Sequence, residues 1–105
     1  MKFKEFLDYL EKNLTGYQIF MRKALAYQTA KNLKRTPKSR WNDRKVDKAA
    51  YEMWKMSMDT LYYKIKQEVK SDSPFIWADF MRQNNILEVL NEGINEMDFS
   101  DDGAA

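Results

Sequence analysis

The stretch from Asn42 to Lys70 constrains this chain most, because it reads as one uninterrupted helix. It contains neither Gly nor Pro, and its apolar positions recur at steps of three and four residues. Such a helix would be roughly 40 Å long at 1.5 Å per residue. A compact domain of about 100 residues has a radius of gyration near 13 Å. The other helices must therefore pack along this rod, or one of its ends must protrude. The stripe consists of Val46, Ala50, Met53, Trp54, Ser57, Met58, Leu61, Ile65 and Val69.

Shorter segments on both sides of the rod also have helical periodicity. We predict helices over residues 2–13 and about 17–34, and the long helix over about 43–70 with Asn42 or Asp43 as its N-cap. Gly16 suits a turn with a positive φ, and Thr15 could cap the helix that follows. Pro37 interrupts the chain between the second and third helices, which predicts an antiparallel hairpin.

The last part of the chain begins with the strongest local signal in the sequence. Ser73 is a good N-cap and Pro74 suits the first position of a helix. The pattern from there to Glu96 fits two helices separated at Asn84–Asn85, or one kinked helix. The predicted fold is therefore an all-α bundle of four or five helices forming one domain over residues 1–97, followed by a flexible acidic tail at 98–105.

The residue types exclude several kinds of chemistry. The chain has no Cys and no His, so it lacks thiolate ligands, disulfides, and the commonest general base and metal ligand. The spacing of Glu88, Glu92 and Glu96 could in principle hold Mg²⁺ or Ca²⁺, but a solvated acidic helix face is the simpler interpretation. No apolar run is long enough for a membrane span. We expect a cytoplasmic protein that is not an enzyme, has no cofactor or metal, and does not associate with membranes.

Charge is distributed unevenly along the chain, although the net charge is only +2. Ten basic and two acidic residues lie between Arg22 and Lys48, whereas six acidic and no basic residues lie between Asn85 and Ala105. We use the name basic elbow for the positions around the predicted hairpin connection that could bind nucleic acid. Alternatively, these cations are solvated and face the acidic C-terminus of the protein itself. The basic elbow comprises Lys34, Arg35, Lys38, Arg40, Trp41, Arg44, Lys45 and Lys48.

A second set of residues is typical of protein interfaces. Several aromatic side chains of the long helix lie off its main apolar stripe, and partner-binding surfaces are enriched in aromatic residues. The surrounding helices could instead bury these rings, and a homodimer would also account for the surplus. The candidate partner-binding residues are Tyr51, Tyr62 and Tyr63, together with Glu88, Glu92 and Glu96, which we call the acidic face.

Two segments have the character of a known group of proteins. They read KFKEFLDYLEKNLTGYQIFMRKA and RWNDRKVDKAAYEMW. The chain resembles small orphan proteins encoded on mobile elements of Firmicutes, among which anti-CRISPR inhibitors are found. The resemblance implies a small protein that acts by binding a larger one, and it assigns no functional residue.

The leading hypothesis is therefore a non-enzymatic regulatory protein that occupies the surface of a larger protein, such as a nucleic-acid enzyme. In this hypothesis the acidic face replaces phosphates in a basic groove and aromatic residues supply the contact. The alternative is direct binding of nucleic acid through the basic elbow.

Overall fold

The computed structural model describes residues 1–99, which form five α-helices and no strand. The all-α prediction is therefore confirmed. The chain from Pro74 to Glu96 forms two helices. Asn85 separates them, because its left-handed backbone, with φ of 52°, interrupts the helical conformation. The helices are α1 (Phe3–Asn13), α2 (Gly16–Leu33), α3 (Asp43–Val69), α4 (Pro74–Gln83) and α5 (Ile86–Glu96), with a single 3-10 turn at Pro37–Ser39.

The ends of α3 and α4 are set by the local signals that the sequence contains. The side chain of Asn42 accepts a hydrogen bond from the N–H of Lys45 at 2.9 Å, so it caps α3 as predicted. Ser73 likewise accepts from the N–H of Ile76 and caps α4. Thr15, by contrast, makes no side-chain cap bond at the start of α2.

The core is built around two aromatic centres on α3. Trp54 is fully buried and packs against Tyr17 and Phe20 of α2, with ring centroids 4.9 and 5.3 Å away. About two turns further along, Tyr62 stacks on Trp77 of α4 at 5.1 Å, and Phe6 of α1 contacts both rings. Helices α1 and α4 thus pack on the part of α3 around Tyr62, and the start of α2 packs on the part around Trp54.

Helix α5 packs beside α2, and Gly16 lies where the two helices meet. The N–H of Gly16 donates to Oδ1 of Asn91 at 2.6 Å. A Cβ on Gly16 would lie 2.5 Å from that oxygen and 3.1 Å from Cδ1 of Ile94. Gly16 does not use the positive φ that a glycine allows, since no glycine within residues 1–99 has one. Glycine is needed here for close packing between helices.

The molecule is elongated, with extents of 49 × 24 × 22 Å and a radius of gyration of 15.8 Å. Helices α2 and α3 run antiparallel, as predicted. Tyr17, near the start of α2, contacts Trp54, whereas Asn32, near its end, bonds to Trp41 just before α3. The half of this hairpin that lies away from the core spans residues 26–49 and is called the hairpin arm below.

Candidate nucleic-acid interface

The hairpin arm contributes almost nothing to the core. Of residues 26–49, only Val46 is buried, with 5% of its surface exposed. Leu33, at the end of α2, is 61% exposed. The arm is therefore a projection from the bundle with a large solvent-facing surface.

The tip of the arm is held by an amide clasp between α2 and the residues that precede α3. Asn32 uses both ends of its side-chain amide, accepting from the N–H of Trp41 at 2.9 Å and donating to its carbonyl at 3.1 Å. Arg40 donates to the carbonyl of Leu33 at 3.2 Å. Sequence reasoning missed Asn32, because a side-chain bond to backbone nine residues away leaves no periodic or compositional signal.

The cations of the basic elbow all lie at this tip. Six of the seven are exposed, and Arg35 is half-buried. The segment 34–48 carries seven basic side chains and two carboxylates, a net charge of +5. Within residues 1–99, none of the seven forms an ion pair with a carboxylate, since the ion pairs there join Lys55 to Glu52 and Arg82 to Asp79. No carboxylate of the described part of the protein is therefore in direct contact with these cations.

Trp41 is the aromatic residue of the elbow, and two cationic side chains lie over its ring. The guanidinium of Arg35 lies 4.0 Å from the ring centroid and the ammonium of Lys45 lies 5.4 Å from it. Both distances are within the range of about 6 Å in which cation–π attraction operates. The Nε of Arg35 is buried without a hydrogen-bond partner among residues 1–99. Stacking on Trp41 thus orients this guanidinium.

The aromatic members of the predicted partner-binding set do not form one surface. Tyr62 is 6% exposed and donates its hydroxyl to the carbonyl of Met1, so placing it off the packing face of α3 was wrong. It packs inward because α1 and α4 cover this side of α3. Tyr51 is half-buried, and its hydroxyl donates to Glu11 at 2.7 Å. Tyr63 is 53% exposed and remains available at the surface.

Glu11 is a polar centre inside the packing of α1 on α3. Its Oε2 accepts from the hydroxyl of Tyr51 and from the indole N–H of Trp54, the latter at 3.1 Å. Burial, followed by the hydrogen bond to the Glu11 carboxylate, raises the pKa of Tyr51 well above its usual value. Burial also raises the pKa of Tyr17 and of Tyr62. The hydroxyls of Tyr51 and Tyr62 are thus used within the fold, where they donate to Glu11 and to the carbonyl of Met1.

The acidic face is exposed along α5. Glu88, Glu92 and Glu96 are all exposed, and none forms an ion pair within the described chain. Val89, which lies among them, is 62% exposed. The face thus offers three carboxylates and one apolar side chain to solvent.

The predicted acidic tail falls partly outside the described residues. Phe99 is half-buried and packs against Phe20 and Tyr27, with ring centroids 5.3 and 6.2 Å apart, so the packed chain extends two residues beyond the predicted boundary at residue 97. Residues 100–105 lie outside the described part of the chain, and with them the rest of the predicted tail.

Pockets, metal sites and membrane-spanning helices are the other features by which the described residues could indicate a function. An open groove of about 340 Å³ lies at the base of the hairpin arm. Over residues 1–99, no three acidic side chains are grouped closely enough to hold a metal ion. None of the helices in that range combines the length and the apolar character that a membrane crossing needs. The groove is lined by Gln18, Met21, Arg22, Leu25, Asp47 and Ala50.

Comparison with protein-family models, with curated proteins and with solved structures found no match.

Proposed function

We propose that this chain is a non-enzymatic binding protein whose basic elbow binds nucleic acid. One observation carries the proposal. The hairpin arm is folded although it buries little, and its tip concentrates seven cations that form no ion pair within residues 1–99. Phosphate groups are the ligand that such a surface fits best.

The energetics of the arm support a role outside the fold. Ordering one residue costs about 1–2 kcal/mol of backbone entropy, and burial of apolar surface is the main compensation. Val46 is the single buried residue of the arm. The clustered cations also repel one another, which disfavours the folded arm further. A bound polyanion would relieve that repulsion, so we expect it to stabilise the arm.

Charge reversal at the tip tests the proposal. In fluorescence anisotropy with labelled DNA and RNA, the wild-type chain should bind at about micromolar concentration or below at about 50 mM salt, and more weakly at about 200 mM. A variant carrying Arg40→Glu, Arg44→Glu and Lys45→Glu should lose binding while keeping its helical circular dichroism. No detectable binding of any nucleic acid at the lower salt would overturn the proposal.

A matched variant controls for net charge. The combination Lys4→Glu, Lys64→Glu and Lys70→Glu changes the charge equally but alters exposed lysines outside the arm. It should keep most of the affinity, because steering by net charge is weaker than direct phosphate contact. Equal loss in both triple variants would place the binding surface elsewhere.

The acidic face favours a second candidate function, the binding of a protein with a basic surface. Its support is the exposure of Glu88, Glu92 and Val89 on one helix, where carboxylates surround an apolar contact. An inhibitor that occupies the groove of a nucleic-acid enzyme would be one such protein.

Charge reversal on α5 tests this second function. Glu88→Lys combined with Glu92→Lys should break a complex formed in this way, whereas the elbow triple variant should leave it intact. Isothermal titration calorimetry of both variants with a captured partner separates the two functions.

A further inference from the structure

The aromatic rings of the hairpin arm are already engaged by the protein itself. Trp41 has the side chains of Arg35 and Lys45 over its ring, and Asn32 binds its backbone on both sides. Tyr27 packs edge-on against Phe99, and Lys31 lies 5.8 Å from its ring centroid. Proteins that bind single strands use open aromatic faces on which unpaired bases stack. The described part of the arm presents no open ring of this kind.

The cations are spread over a surface wider than a single strand. They lie on the segment that connects α2 to α3, beginning at the C-cap of α2, and on the first turns of α3. Each helix has a diameter of about 10 Å with side chains, so the hairpin is about 20 Å across. The major groove of B-form DNA is about 12 Å wide. The elbow as a whole is thus too broad to enter a groove, but it can bridge the phosphates on both sides of one.

Arg35 has the properties of a pre-oriented phosphate contact. Its guanidinium is held against Trp41, and its buried Nε has no hydrogen-bond partner within residues 1–99. A guanidinium can bind a phosphate through two parallel hydrogen bonds, and fixing its plane in advance lowers the entropy lost on binding. Lysine at this position would keep the charge but lose the planar stack.

We propose that the basic elbow binds the sugar–phosphate backbone of double-stranded nucleic acid, with Arg35 as a contact oriented by Trp41 and without stacking on bases. This inference rests on the proposed function, and it adds the form of nucleic acid that is bound and the way in which it is contacted.

Anisotropy titrations with a 20-nucleotide single strand and with the duplex of the same sequence, in DNA and in RNA, test the inference. The duplex should bind at least about tenfold more tightly than the single strand at equal salt, because only the duplex places two phosphate chains under the elbow. Comparable affinity for DNA and RNA duplexes would support contact with the backbone. Preference for one of them would show whether the bound duplex is DNA or RNA. Equal or tighter binding of the single strand would overturn the inference while the proposed function stands. Absence of binding to all four probes would overturn the proposed function itself.

Two substitutions test the role of Arg35. Arg35→Lys should weaken duplex binding by about three- to tenfold with little change in salt dependence, since the charge remains but the stacked plane is lost. Trp41→Phe keeps a ring under Arg35 and should retain most of the duplex affinity. If Arg35→Lys left the duplex affinity unchanged, the stacked guanidinium would not be a phosphate contact, and the inference would be wrong.

Discussion

Gly16 shows how a single position joins the two ends of the chain. Its N–H binds Asn91, and the space that a side chain would need is occupied by Asn91 and Ile94. Gly93 lies in the same helix as those two residues, yet a Cβ there would meet nothing within 4 Å. The two glycines therefore differ in environment, although both have ordinary helical backbones.

Replacing each glycine by alanine should change stability in opposite directions. Gly16→Ala displaces the Asn91 amide and breaks its hydrogen bond, so the free energy of unfolding should fall by about 1–2 kcal/mol. Gly93→Ala removes a flexible residue from a helix without a clash and should raise it by about 0.5–1 kcal/mol. Urea denaturation followed by circular dichroism measures both. Stabilisation by Gly16→Ala would show that the contact between α2 and α5 is looser than described.

Lys23 connects two helices through the end of α5. Its ammonium donates to the carbonyls of Ile94, Asn95 and Met97 at 2.9, 2.9 and 2.8 Å. The last carbonyls of a helix have no partner within that helix, and they carry its negative dipole end. A lysine from α2 satisfies both needs and holds α5 against the bundle.

Lys23→Met should lower the free energy of unfolding by about 1–2 kcal/mol, because it keeps the aliphatic stem but leaves three carbonyls without this donor. Arg22→Met is the matched control, since Arg22 is the exposed neighbour on the same helix and makes no ion pair within residues 1–99. It should change stability by less than about 0.5 kcal/mol. Equal losses in the two variants would mean that charge on α2, and not the α5 contact, is responsible.

The whole molecule divides into a packed bundle and a projecting arm that share helices α2 and α3. Trp54 and Met58 of α3 are buried in the bundle, whereas Arg44 and Lys48 of the same helix are exposed in the arm. Local opening costs least where few apolar contacts must be broken. The stability of one continuous helix should therefore change along its length.

Hydrogen exchange measures this gradient. Amides near Lys48 should exchange through local opening at a free energy several kcal/mol below that of global unfolding, while amides near Met58 should exchange only with global unfolding. Bound duplex nucleic acid should slow exchange in the arm and leave the bundle unchanged. Equal protection along α3 in the free protein would show that the arm is as stable as the core, against the burial pattern.

Local signals in the sequence determined the helices and most of their ends. Asn42 and the Ser73–Pro74 pair act through hydrogen bonds and backbone restrictions within a few residues, so their effects could be predicted without knowing the fold. The helical period likewise identified Val46, Trp54 and Ile65 as packing positions, and all three are buried. The clustering of the elbow cations could also be predicted, because they lie close together in sequence around a short connection.

Tertiary structure alone decided which surplus residues remained at the surface. Tyr62 and Tyr63 are neighbours in sequence, yet α1 and α4 cover Tyr62 and leave Tyr63 about half exposed. Three further contacts depend on the position of another segment of the chain. They are the bond of Asn32 to Trp41, the contact of Gly16 with α5, and the stacking of Arg35 on Trp41. Periodicity assigns a residue to a helix face, but only the packed neighbours decide whether that face meets protein or water.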